Sequence, residues 1–160
     1  MQGSERILCV DPGLKTGVAR LDRSENDVTV NESFELDEHE VAPWLREHLA
    51  GWTDRMTSGE GHTIVVYERF IITPRTATLT QAPWSLELIG VTKQVCRDLE
   101  YPVERMYGQT PAEGKSVVDN KKLQRLELWH RGGAGHANDA IRHGVLNLIN
   151  RGWRDPRFLA

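Results

Sequence analysis

Two apolar runs, ILCV at residues 7–10 and TIVVY at 63–67, each pass directly into a carboxylate, Asp11 and Glu68. Runs of this kind, rich in β-branched residues and without polar alternation, read as strands covered on both faces, so the chain calls for a sheet with helices on either side. A carboxylate that ends such a run needs a partner as it leaves the core. Arg69 is not that partner for Glu68, because neighbouring side chains on a strand point to opposite faces. If the two strands pair in parallel, both carboxylates emerge at one edge of the sheet, where open α/β sheets place their sites.

The remaining elements are compatible with that sheet. Residues 6–11, 17–21 and 28–36 read as an antiparallel meander of three strands, broken at Pro12-Gly13 and at SEND. DEHEVAPWLREHLAGW puts Val41, Trp44, Leu45, Leu49 and Trp52 at helical spacing, with acids in the first turn. The Glu68 strand follows, then a long helix from Thr76 to Leu99 and a fifth strand, YPVERMY. TPAE matches a capping box with Thr110 at the N-cap, Pro111 at N1 and Glu113 at N3. A basic stretch, GKSVVDNKK, leads into a helix LQRLELWHR; the loop RGGAG then opens a last helix, HANDAIRHGVLNLINRG, striped by Ile141, Val145, Leu148 and Ile149. The fold class is therefore α/β, a mixed five-stranded sheet with its first three strands antiparallel and helices on both faces. One domain over residues 1–160 is expected, since the sequence has no repeat, low-complexity tract or linker.

Charge and cysteine usage exclude more than they establish. The formal charge is −3, yet residues 1–60 hold 6 Lys and Arg against 13 Asp and Glu, whereas from Arg105 onward there are 10 against 5. That half can face a polyanion, although a solvated basic face has the same composition. Cys9 and Cys96 form neither a disulfide framework nor a CxxC pair. Cys9 reads as strand filler, and Cys96, on the long helix, is open to reactivity or to pairing with a second subunit. The start MQGSERILCV has no signal-type apolar core, so a cytoplasmic location without membrane contact is expected, in the host cytoplasm if the source is viral.

The last helix begins GHANDAIRH, which sets His136 and Asp139 three apart on one face, with His143 one turn further along it. Should that turn abut the ends of the Asp11 and Glu68 strands, three carboxylates and an imidazole converge. Such a cluster repels itself unless cations enter it, and hard divalent ions suit it. Two ions about 4 Å apart can activate water and steady both oxygens of a phosphodiester displacement. Taken singly, each residue has a plainer use: Asp11 in a turn before Pro-Gly, Asp139 near helix amides, His136 as a cap. Together with Glu68 they favour a metal site.

ILCVDPGLKTGVA, VVYERF and HANDAIRHGVLNLI, in that order and spacing, resemble the RuvC family of Holliday-junction resolvases within the ribonuclease H-like superfamily. The resemblance covers nearly the whole chain; compact stand-alone relatives occur in phages. It implies a homodimeric, Mg2+- or Mn2+-dependent endonuclease that cuts two opposed strands of branched DNA and leaves 5'-phosphate and 3'-hydroxyl ends. The implied metal ligands are Asp11, Glu68, His136 and Asp139, with about two ions per site, and Lys115 adds charge stabilisation at the phosphate. The implied DNA contacts are Lys115, Lys121, Lys122, Arg69, Phe70 and Arg75. A small-molecule substrate is not expected. His136 stands where many members carry Asp, which suits a softer ion such as Mn2+ or a proton shuttle. Phe70 lies one residue nearer the Glu than the family's junction wedge, so it is either that wedge or a core aromatic. The long helix resembles the family's dimer helix, which would bring Cys96 towards its symmetry mate. The rivals are the RuvX or YqgF ribosomal RNA-processing family, which shares a DPG-type strand, and a DNA scaffold that binds junctions without cutting. The actin-like ATPases need two such domains.

Overall fold

The structure is a computed structural model that describes residues 4–25, 27–59, 61–74 and 82–159. Its centre is a five-stranded sheet of β1 (Glu5–Asp11), β2 (Thr16–Arg23), β3 (Val28–Leu36), β4 (His62–Glu68) and β5 (Met106–Gln109), in the order β3-β2-β1-β4-β5. β1, β2 and β3 form an antiparallel meander, while β4 joins β1 in parallel with Cys9 opposite Val66, and β5 joins β4 in parallel. This is the mixed sheet expected from the sequence.

Side-chain parity divides the core into two layers. On β1, Ile7 and Cys9 face one side, where they meet Ala19, Leu21, Ile64 and Val66 beneath Ala140, Ile141, Val145 and Leu148 of α6 (His136–Asn150). Leu8 and Val10 face the other side, against Val41, Leu45 and Leu49 of α1 (Glu38–Leu49) and Leu88 and Val95 of α3 (Ala82–Asp98). Because strand residues alternate, Asp11 follows Ile7 and Cys9, and Glu68 follows Ile64 and Val66. Both carboxylates thus belong to the α6 face of the sheet.

The remaining helices are α2 (Trp52–Thr57), α4 (Pro111–Val117), α5 (Asn120–Arg125) and α7 (Pro156–Leu159). Several local expectations are corrected. The helix expected to run through Trp52 stops at Leu49, since Gly51 takes a left-handed φ of 68° before α2 begins. The fifth strand starts at Met106, not at Tyr101: Pro102 has no amide to donate, and Val103–Arg105 form a 3-10 turn. The expected helix over residues 123–131 ends at Arg125. Glu127, at φ 61°, closes it with paired bonds from Leu128 N to Leu123 O and from Glu127 N to Gln124 O, which drives Leu126 and Leu128 into the core. Thr110 and Pro111 open α4 as expected, but the Thr110 hydroxyl is buried without a partner, so no capping box forms there; one forms instead at Asp37 and Glu40.

Cys96 is also corrected. Its thiol is 1 % exposed and packs in the α1–α3 layer, where burial raises its pKa to about 11. A thiol so placed is neither reactive nor available to a second subunit. Of the expected long helix, residues 76–81, including Leu79, lie outside the described residues. Among the described residues, no helix is long and apolar enough to cross a membrane.

Two glycines let α6 lie close to the sheet. A Cβ on Gly144 would come within 2.4 Å of Leu21 and 2.5 Å of Cys9, and one on Gly17 would sit 1.9 Å from the His136 carbonyl oxygen. The second collision is with backbone, which cannot swing aside. Gly17→Ala is therefore expected to lower the unfolding free energy by about 3 kcal/mol, at the upper end of overpacking costs. Urea denaturation measures it, and an unchanged midpoint would contradict this packing.

Candidate functional site

The parallel β1–β4 pair ends in Asp11 and Glu68, and the first two turns of α6 cross in front of them. Ligand atoms of Asp11, Glu68 and His143 all lie within 4.8 Å of one another. His143 Nε2 donates to Glu68 Oε2 at 2.8 Å, while His136 Nδ1 donates to Asp11 Oδ2 at 3.3 Å. Each strand carboxylate therefore faces one imidazole of α6. His143 is 2 % exposed, its ring pressed by Gly114 of α4, and its Nδ1 is buried with no hydrogen-bond partner.

Asp139 stands beside this pair with cations of its own. It is ion-paired with Arg142, one turn along α6, and with Lys115 Nζ at 3.2 Å. The Arg142 guanidinium is itself buried, donating from Nε to the Val118 carbonyl at 2.7 Å and from a terminal nitrogen to Asn120. Arg142 thus locks α4 and α5 to α6 and holds the Asp139 carboxylate in place.

Burial and neighbouring charge act on the groups of the cluster in opposite directions. Burial pushes the Asp11 carboxyl above its ordinary pKa, and the charges of Glu68 and Asp139 push it further, against the pull of His136 and His143. The hydrogen bond to Asp11 raises the His136 pKa over the opposing effect of burial, with Asp11, Glu35 and Asp139 adding to it. Two carboxylates and an imidazole that gather at one sheet edge make a donor set that fits a divalent cation.

Of the residues singled out in the sequence, the structure brings Asp11, Glu68, His136, Asp139 and Lys115 to this edge. Lys121 is exposed on a cavity of about 910 Å3 that opens beside Asp139, lined also by Lys115, Asn120, Trp129, His130 and residues 132–135. Lys122 faces elsewhere: its ammonium donates to the Val117 carbonyl at 2.7 Å and lies 4.6 Å from the Phe158 ring centroid. Arg69 is exposed on the face opposite Glu68, over Gly108 of β5. Phe70 is half-buried, and Ile71 and Ile72 beyond it are exposed. Arg75 lies outside the described residues.

Three contributors were not assigned from sequence. His143 and Arg142 share helical spacing with Asp139, a signal that was present. Glu35 had none. From β3 it accepts hydrogen bonds from the backbone amides of Ala134, Gly135 and His136, about 100 residues away in sequence, and these bonds, the Ala134 one foremost, lower its pKa.

Comparison with known proteins shows the fold. The chain is similar to T. thermophilus RuvC in complex with a Holliday junction substrate, at 12% identity and a TM-score of 0.61. It is similar also to a Thermus thermophilus RuvC structure, at 13% identity and the same TM-score; each comparison covers 92% of this chain and 96% of the other. The fold is ribonuclease H-like. No protein-family model matches the chain, and no curated protein does.

The raised Asp11 pKa has a consequence for stability. The folded state holds the Asp11 proton more tightly than the unfolded state, so this carboxyl stabilises the fold below its ordinary pKa of about 4. That contribution is lost as pH rises through the raised folded value. In chelator at pH 7, Asp11→Asn is expected to melt higher than the wild type. Mn2+ at about 100 times its dissociation constant is expected to stabilise the wild type by about 2.7 kcal/mol and the variant far less. Thermal melts with and without Mn2+ test both statements; a wild type indifferent to Mn2+ contradicts the second.

Proposed function

We propose that the chain is a metal-dependent, structure-selective DNA endonuclease that resolves Holliday junctions, and other branched DNA, by paired phosphodiester hydrolysis. One observation carries the reading. On a ribonuclease H-like sheet, the carboxylates of two parallel strands meet the imidazoles of the last helix at a single edge, beside an open cavity with lysines on it.

Asp11, Glu68 and His143 would hold a divalent cation, Mg2+ or Mn2+, with Asp139 available to a second and His136 either a further ligand or a proton carrier. When bound, such ions activate water and neutralise charge on the scissile phosphate. The chain's own groups complete the site. His136 has a half-exposed ring whose Nδ1 proton is shared with Asp11, so its other nitrogen can exchange protons with solvent or with the departing oxygen. Lys115, also largely exposed, reaches Asp139 and can turn its ammonium to a phosphate oxygen as charge builds there. Lys121 is placed to contact the DNA backbone along the cavity.

Paired cutting requires two sites. A four-way junction has two-fold symmetry, and an isologous dimer offers two identical centres to its equivalent strands. Leu86 is exposed on α3, the helix that resembles the family's dimer helix, and is the apolar side chain such a dimer would cover.

With Mg2+ or Mn2+, a labelled four-way junction is expected to be nicked symmetrically while linear duplex is spared. Asp11→Asn and Glu68→Gln are each expected to slow cutting by about 10^3-fold or more, several kcal/mol of transition-state stabilisation. Cutting of structured RNA alone would instead assign the chain to ribosomal RNA processing, and binding without cutting under either metal would make it a scaffold. Lys121→Ala is expected to weaken junction binding and to reduce the slope of log K against log salt by about 1. An unchanged slope would remove Lys121 from the interface.

A further inference from the structure

The glycine loop before α6 has no part in the chemistry above, yet its geometry is specific. Gly132, Gly133 and Gly135 have φ of 102°, 67° and 104°, and Gly135 is the N-cap of α6. A capping Ser or Asp works from extended backbone. A left-handed N-cap has no such side chain, so the first amides of the helix need an acceptor from elsewhere.

Glu35 supplies it. Its Oε2 accepts the Ala134 amide at 2.9 Å, and its Oε1 accepts those of Gly135 at 2.8 Å and His136 at 2.9 Å. A Cβ on Gly133 would lie 2.6 to 2.7 Å from the carboxylate atoms, so the glycine is what admits them.

The sheet register extends this contact to the metal-site carboxylates. Glu35 on β3 pairs with Gly17 on β2, and Gly17 pairs with Asp11 on β1. The three residues form one row beneath the first turn of α6. Glu35 holds the His136 amide, Gly17 leaves room for the His136 carbonyl, and Asp11 takes the His136 ring. The amide, the carbonyl and the Nδ1 of His136 thus all meet one row of the sheet.

We propose that Glu35 is a positioning residue for the metal centre, acting through the first turn of α6. The inference rests on the metal-dependent reading above. The row aims His136 at Asp11, and the Glu35 carboxylate also cancels the positive end of the α6 dipole next to a place that has to accept a cation. Removing the charge while keeping the shape leaves that positive end beside the centre.

The test compares wild type, Glu35→Gln and Glu35→Asp by calorimetric titration with Mn2+ alone, well below the melting temperature, with circular dichroism to establish folding. Glu35→Gln is expected to bind Mn2+ about fivefold more weakly. Glu35→Asp, which keeps the charge, is expected to recover part of that loss. On junction DNA, Glu35→Gln is expected to lower kcat with KM little changed. If a folded Glu35→Gln binds Mn2+ as tightly as a wild type that does bind it, Glu35 is only a helix cap and the inference is overturned alone. A wild type that takes up no Mn2+ overturns the metal-centre reading and this inference with it.

Discussion

The site depends on how closely α6 can approach the sheet. Strand parity sends Asp11 and Glu68 to the α6 face, but parity alone leaves them facing whatever covers that face. The helix reaches them because the sheet and the helix each give up a side chain where they cross: Gly17 under the His136 carbonyl, Gly144 against Cys9 and Leu21. Gly114 does the same on α4, where its missing Cβ makes room for the His143 ring. The contact is backbone against backbone at one end and helix against apolar side chains at the other. A shift of α6 outward would separate both imidazoles from their carboxylates and open the apolar layer beneath the helix.

That dependence explains which parts of the molecule were legible in the sequence. Asp11 and Glu68 could be read because the signal is local, an apolar run ending in a charge. His136 and Asp139 could be read from helical spacing on a segment whose apolar stripe marks its buried face. The same spacing contained Arg142 and His143, whose roles depend on what α4 and β4 present to them. Glu35 was invisible, since its partners are amides about 100 residues away, joined by sheet register. The end of α5 was missed for a different reason. Glu127 takes the left-handed position that a glycine would announce, and nothing in LQRLELWHR marks a stop. Lys121 and Lys122 read alike in the sequence as DNA contacts, yet adjacent residues on a helix point about 100° apart, and one faces the cavity while the other lies over Phe158.

The partners of the three carboxylates differ in a way that bears on how cations would enter. Asp139 is held by Arg142, whose charge is permanent and whose guanidinium is pinned to Val118 and Asn120. Asp11 and Glu68 are held by imidazoles, whose charge is not permanent. A neutral imidazole can itself serve as a cation ligand, so a divalent ion between Asp11 and Glu68 would meet no fixed positive charge there. At Asp139 it meets the buried Arg142 charge, and only the exposed Lys115 ammonium can move away. On the proposed reading the two sides of the centre are therefore unequal: Asp11, Glu68 and His143 would hold an ion without a fixed charge beside it, whereas Asp139 would share its carboxylate with Arg142. On that reading a substrate phosphate that drew Lys115 away from Asp139 would release one of the two cations paired with this carboxylate, while Arg142 would stay in place.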